Sequence, residues 1–345
     1  MCADDILDLE DAESPGGILA TVGNTPLVEL VKLFPDFPGR LHAKLERFNP
    51  GGSIKDRSAL GMLLGGIRSG ELVPGRSVVV ESSSGNLAIG LAQACNYVGL
   101  DFICVVDAKT TDQNLAVLRA LRANVEVITE PDPQTGEYLP ARLRRVRELV
   151  ATVPHAYWPN QYANPLNAKA HQRTMREIAR ALRGRVDYLF CAAGSGGTLR
   201  GCTDYIRAAG LSTTVIAVDA VGSAIFGDQR SVPRLIPGHG SSIRPALLDR
   251  TVPDEVVHVT DLDCVLGCRM LVNRESILAG GSSGAVIAAV ERVRHRIPDG
   301  ASCAVILPDG GDRYLDTIYS DTWVRTHFGA VPRLWDDLSA KEVVV

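Results

Sequence analysis

The sequence contains no uninterrupted apolar run near the ~18 residues that a membrane-spanning helix needs, which argues against a bilayer protein. Its start is acidic (Asp4, Asp5, Asp8, Glu10, Asp11), unlike the basic and then apolar head of a secretory signal, so a cytosolic location is expected. There is no charge excess either. The 36 basic and 40 acidic residues leave a net charge of -4, without the positive footprint expected of a nucleic-acid-binding protein. The one basic cluster, Arg142, Arg144, Arg145 and Arg147, fits a solvated helix face better than a binding stripe. No metal set stands out: Cys264 and Cys268 share a helical face at i, i+4, but no His or further Cys nearby completes a zinc site. The 8 cysteines are scattered, and Cys95, Cys104, Cys191 and Cys303 sit inside apolar segments, as reduced core thiols do. Internal repeats and low-complexity tracts are also missing.

What is present is a chain of 345 residues with 46% hydrophobic content, enough for a substantial core and for two lobes rather than one. Short β-branched runs alternate with longer helical patterns: strands at 77–80, 102–106, 125–129, 186–192, 215–218, 256–259 and 303–307, with helices at 87–98, 112–123, 138–150, 168–182, 198–208, 261–277 and 285–294. This alternation predicts an α/β fold of mostly parallel sheets flanked by helices, with ligands at the carboxyl ends of the strands. The Pro- and Asn-rich stretch 154–167 suits a lobe boundary. The stretch 222–244 reads as a long irregular excursion of the functional kind.

Lys55 is the most informative residue. It follows Asn49-Pro50-Gly51-Gly52-Ser53-Ile54 and precedes a helical pattern with Asp56 in its first turn. A lysine behind a Gly-rich turn is poised to form a Schiff base with an aldehyde cofactor, although one lysine at a helix start is more often a solvated charge. Four other segments add weight. Glu81-Ser82-Ser83-Ser84-Gly85-Asn86 joins a strand to a helix and offers hydroxyls and free amides to a carboxylate or phosphate, or else ordinary helix capping. Gly194-Ser195-Gly196-Gly197-Thr198 is a second such turn, suited to a phosphate yet lacking the lysine and spacing of the P-loop. Gly280-Gly281-Ser282-Ser283-Gly284 links two helical patterns, and 307–314 forms an acidic, Gly-containing run after the last strand.

Taken together, from Gly23-Asn24-Thr25-Pro26-Leu27 to Arg313-Tyr314, these segments resemble the fold type II pyridoxal-phosphate enzymes related to tryptophan synthase β, in the group of cysteine synthases and cystathionine β-synthases. The resemblance implies two lobes, 1–48 with 165–345 holding the cofactor and 49–164 forming a smaller mobile lobe. It implies that Lys55 carries pyridoxal 5'-phosphate and acts as the base at Cα. Asn86 would bond the 3′ oxygen, Gly194, Ser195, Gly196, Gly197 and Thr198 would cradle the phosphate, and Ser282 would face the ring nitrogen. Ser83, Ser84, Gly85, Asn86 and Gln161 would hold the substrate α-carboxylate. A serine hydroxyl does not keep the ring nitrogen protonated, so β-replacement through an aminoacrylate is favoured over transamination.

Choice of nucleophile is a separate question. Arg142 falls on the apolar arc of its helix with Leu139, Leu143, Val146 and Leu149, as a buried ion-pair partner or an anion clamp, and Tyr162 could add a hydroxyl beside Gln161. Segments such as Asn160-Gln161-Tyr162-Ala163-Asn164 and Gly222-Ser223-Ala224-Ile225-Phe226-Gly227-Asp228 are similar to those of N-(2-amino-2-carboxyethyl)-L-glutamate synthases. That similarity implies O-phospho-L-serine as donor, L-glutamate as nucleophile, phosphate as leaving group, and a role in 2,3-diaminopropionate supply for siderophores or peptide antibiotics. A homodimer and a pathway dehydrogenase acting on the product would be its partners. Competing expectations are a cysteine synthase that uses sulfide and an idle binding module of the same fold. Two departures from the similar sequences are His239 in Pro237-Gly238-His239-Gly240, either a mouth residue or a surface one, and Ser83 where threonine is usual.

Overall fold

The structure, a computed structural model, describes residues 16–227, 234–248 and 253–331; the acidic start, Asp228 and Pro233 lie outside the described residues. In chain order the elements are β1 (Leu27–Glu29), β2 (Arg40–Leu45), α1 (Lys55–Ser69), β3 (Val78–Ser82), α2 (Asn86–Val98), β4 (Asp101–Asp107), α3 (Asp112–Ala120), β5 (Asn124–Ile128), α4 (Tyr138–Thr152) and β6 (Ala156–Tyr157). They continue with α5 (Pro165–Ala181), β7 (Tyr188–Ala192), α6 (Gly197–Ala208), β8 (Thr214–Ala220), β9 (Glu255–Val259), α7 (Asp261–Glu275), α8 (Gly281–Val293), β10 (Ser302–Leu307) and α9 (Asp321–Phe328). No helix among the described residues is long and apolar enough to cross a membrane.

Two sheets organise the chain. One has the order β5-β4-β3-β6 and is parallel throughout; the other has the order β1-β2-β10-β7-β8-β9 and is parallel except for the β1–β2 pair. The expected α/β class with flanking helices is what is found. Strand β2 was not legible as a strand, because Arg40-Leu-His-Ala-Lys-Leu mixes charges into the run, yet His42 and Lys44 are buried with their neighbours. It pairs in parallel with β10 over six residues, from Arg40 with Ser302 to Leu45 with Leu307. The larger core lies where α8 packs on this sheet through Val286, Ile287, Ala289 and Val290, all fully buried. Each such Val or Ile contributes about 1.5–3 kcal/mol before conformational entropy is charged against it. Met62 and Leu63 of α1 meet Leu87 and Leu91 of α2 in a second core against Val79 and Phe102.

Helix α1 is tied to the larger sheet by a buried ionic cluster. Arg57 gives paired hydrogen bonds to Glu46, at 2.7 and 2.9 Å, and to Glu177 of α5, at 2.8 and 2.7 Å. Lys44 of β2 completes the cluster by bonding Glu177 at 2.7 Å. Planar forks matched to carboxylates are the geometry that repays the cost of burying charge. The basic face of α4 is also more engaged than a solvated stripe: Arg144 pairs with Asp132 and Arg145 with Glu126, while Arg147 lies over the Trp158 ring.

Candidate active site

Three chain segments leave the carboxyl ends of strands and converge. After β3 the turn Ser83-Ser84-Gly85 leads into α2, after β7 the turn 193–196 leads into α6, and after β10 the chain runs through Pro308 and Asp309. Ile54 N donates to Pro308 O at 2.7 Å and Ser53 bridges to Asp309, so Lys55 is set beside the end of β10. Lys55 and the loop Gly194-Ser195-Gly196-Gly197-Thr198 line one cavity, with Cys191 at its wall. Burial lowers the Lys55 pKa, an effect that the Cys191 thiol and the Asp309 carboxyl partly oppose. A lowered pKa enlarges the fraction of neutral amine, the form that condenses with an aldehyde.

The loop is built for close approach. Gly196 has φ +88, and a Cβ on Gly197 would stand 2.1 Å from Asn167 Oδ1. The first turn of α6 accepts its first helical bond at Gly196 O from Arg200 N, which leaves the preceding amides to point at an anion. Asn167 steadies the loop by donating to Ser195 Oγ at 3.3 Å and to Gln161 O at 2.7 Å. A phosphate within reach of an amine of lowered pKa is what pyridoxal phosphate requires, and these residues fit it.

Asn86 opens α2, and its amide donates to Asp309 Oδ2 at 2.8 Å. The Tyr314 hydroxyl donates to the same oxygen at 2.7 Å, and burial raises the Asp309 pKa against these two donors. Ser282 is buried in the first turn of α8, which begins four residues earlier than the apolar pattern indicates, at Gly281 instead of Ala285. The segment Gly280 to Gly284 is therefore a helix start and not a plain connection. Gly238, at φ +98, lies over Ser282: an added Cβ would come within 3.2 Å of its Oγ, so this turn admits glycine. His239 follows it and is 3% exposed, which removes the surface alternative; its Nε2 lies 3.6 Å from Cys264 Sγ.

The residues expected to hold the substrate divide between two places. Ser83 Oγ accepts from Ala88 N at 3.3 Å inside its own turn. Gln161 is buried and its backbone N–H donates to Glu81 Oε2 at 3.3 Å, a carboxyl that burial pushes up to about 7. Arg142 and Tyr162 line a second cavity, of about 240 Å³, instead of the one at Lys55. Arg142 is an ion-pair partner, the first of the roles weighed for it: its Nε lies 3.3 Å from Asp107 Oδ2, and its Nη1 also donates to Ser84 Oγ at 3.3 Å. Burial raises the Tyr162 pKa and keeps its phenol protonated. Sequence reasoning overlooked Asn167 and Asp107 altogether. Asp107 ends β4, so the rule that places ligands at carboxyl ends of strands could have flagged it.

Comparison with known proteins agrees with this geometry. The solved O-ureido-L-serine synthase is 30% identical, covers 93% of this chain and 98% of its own, and superimposes with a TM-score of 0.82. O-acetyl serine sulfhydrylase isoform 3 from Entamoeba histolytica is 31% identical over 90% of this chain and 92% of its own, with a TM-score of 0.81. The O-acetylserine-dependent cystathionine β-synthase from Helicobacter pylori is 29% identical over 88% and 98%, with a TM-score of 0.80. Residues 18–309 match the family described as pyridoxal-phosphate dependent enzyme. The idle-module expectation is set aside: by the family match over residues 18–309 and the likeness to the solved synthases, this chain belongs to the pyridoxal-phosphate dependent enzymes, as a fold type II member of the transferase kind.

Proposed function

We propose that the protein catalyses a β-replacement in which O-phospho-L-serine loses phosphate and L-glutamate adds through its amine, giving N-(2-amino-2-carboxyethyl)-L-glutamate for 2,3-diaminopropionate supply. When bound, pyridoxal phosphate supplies the aldehyde that captures an amino group and the electron sink for the Cα–H electron pair. Lys55 would hold it, and the burial that lowers its pKa favours the neutral amine that would take the Cα proton. Gly194, Ser195, Gly196, Gly197 and Thr198 bind its phosphate and Asn86 its 3′ oxygen. Ser282 offers the ring nitrogen a hydroxyl too weakly acidic to keep it protonated. The turn Ser83-Ser84-Gly85-Asn86, with Gln161, orients the substrate carboxylate, and the lobe 49–164 closes on the lobe formed by 1–48 and 165–345 to exclude water.

The single observation that carries the glutamate reading is the second cavity beside that turn, reached by Arg142 through its bond to Ser84 Oγ. Sulfide would need no such space. The solved sulfhydrylase supports the rival cysteine synthase reading. Incubating the holoenzyme with phosphoserine and either glutamate or sulfide, then reading product mass, decides between them; cysteine as the sole product would remove the glutamate assignment. Within the same reading Arg142→Ala raises KM for glutamate more than it weakens cofactor binding. The protein would act as a cytosolic homodimer, with a dehydrogenase consuming its product.

A further inference from the structure

The second cavity holds more positive charge than the mechanism above uses. Lys109, in the turn after β4, and Arg234, in the segment before His239, both line it together with Arg142 and Tyr162. Arg142 is already partnered by Asp107. Lys109 Nζ sits 5.4 Å from the centroid of the Tyr138 ring, a cation–π contact that positions the ammonium without neutralising it. Arg234 Nη1 donates only weakly, to His239 O at 3.4 Å, and Gly240 gives it room, since a Cβ there would stand 2.1 Å from that nitrogen. Among the described residues no carboxylate forms an ion pair with either cation, although Asp107, the partner of Arg142, and Glu137 share the cavity wall. With Arg142, these cations outnumber the two carboxylates on the wall, so the cavity keeps a positive excess that an entering anion would match.

We propose that Lys109 and Arg234 are the specificity-determining pair that holds the distal carboxylate of an acidic amino-acid nucleophile. The inference rests on the glutamate reading and deepens it. An amine attacks only when unprotonated, and glutamate in that form carries two carboxylates and no compensating charge. The first carboxylate can be met at Arg142, and the second then needs its own cations. A neutral isostere such as glutamine would leave the pair desolvated and unmatched, which is how a site rejects a near-copy of its substrate.

The test uses the full-length holoenzyme with Arg234→Gln, Arg234→Lys and Lys109→Met, assayed with phosphoserine and either glutamate or glutamine, and with phosphoserine alone for phosphate release. Losing one charge-assisted contact corresponds to about a 10–100-fold rise in KM for glutamate, with kcat much less affected. The preference for glutamate over glutamine falls by a similar factor, and Arg234→Lys recovers part of both. Unchanged KM for glutamate overturns the proposal. So does a loss of phosphate release from phosphoserine alone that equals the loss with glutamate, because the pair would then serve the leaving group. If the wild type ignores glutamate, the function assigned above fails. Acceptance of aspartate by that wild type and its loss in Arg234→Gln would sustain the pair, and acceptance of sulfide alone overturns both.

Discussion

Asn86 donates its side-chain amide to Asp309 across 223 residues of sequence, at 2.8 Å, joining the first residue of α2 to the loop that follows β10. Asn86 follows a strand of the four-stranded sheet and Asp309 a strand of the six-stranded one, so the bond links the two sets of elements. Replacing Asp309 by alanine strands two donors, Asn86 and Tyr314, at about 1–3 kcal/mol for each that water does not reach. Asp309→Ala is expected to lose cofactor on dialysis and to turn over at least about tenfold more slowly, whereas Asp309→Asn keeps an acceptor and loses less. Absorbance of the dialysed protein reads the first effect; full retention in the alanine variant would refute it.

Burial lowers the Lys55 pKa, and Lys55 lines one cavity with the Gly194-Ser195-Gly196-Gly197-Thr198 loop. Borohydride treatment of the wild type is expected to fix a pyridoxyl group to the peptide carrying Lys55, and Lys55→Ala to lose that adduct together with at least about 10³-fold of turnover. Peptide mass spectrometry checks the linkage independently of activity, and a modified peptide mapping elsewhere would end the assignment.

Much of the fold is legible in the sequence alone. The β-branched runs and 3.6-residue patterns place strands β3, β4, β5, β7, β8, β9 and β10 within a few residues, because each is an apolar run bounded by turn residues. The Gly- and Ser-rich turns declare themselves because close approach to a ligand restricts residue choice. Partnerships set by tertiary contact stayed hidden: Asp309 with Asn86, Asp107 with Arg142, and β2 as a central strand whose lysine is buried because Glu177 lies 2.7 Å away. His239 was ambiguous for the same reason, as nothing local says that Gly238 folds it inward.

The ionic cluster under α1 has a large expected signature. Arg57→Ala leaves Glu46 and Glu177 facing each other in the interior and is expected to cost about 3–5 kcal/mol in urea denaturation. Burial alone would raise the Glu177 pKa, but the Arg57 and Lys44 contacts overcome it and hold it at about 2. A carboxyl depressed on folding stabilises above its unfolded pKa, and that support is lost as pH falls from about 4.5 toward about 2. Arg57→Ala should shift this acid limb to higher pH; an unmoved limb would contradict the assignment.

Burial, aided by the charge of Arg234, lowers the His239 pKa to about 4. The unfolded chain takes up a proton on this ring below its usual value of about 6.5, while the folded chain does so only near 4. Its contribution to stability therefore declines as pH drops through that window. Removing the ring in His239→Asn should reduce the slope of unfolding free energy against pH there by up to about 1.4 kcal/mol per unit. Denaturant melts of both proteins at several pH values measure it, and parallel slopes would exclude it.

The pairing of β2 with β10 has a consequence for biosynthesis. Residues 78–157 contain every strand of the four-stranded sheet, so that unit can assemble while the ribosome is still at work. The six-stranded sheet cannot close until Leu307 has emerged, since β10 wedges between two strands made much earlier. Until then β2 waits with an open edge, and nascent chains stalled before that point are the ones that chaperones would be expected to hold.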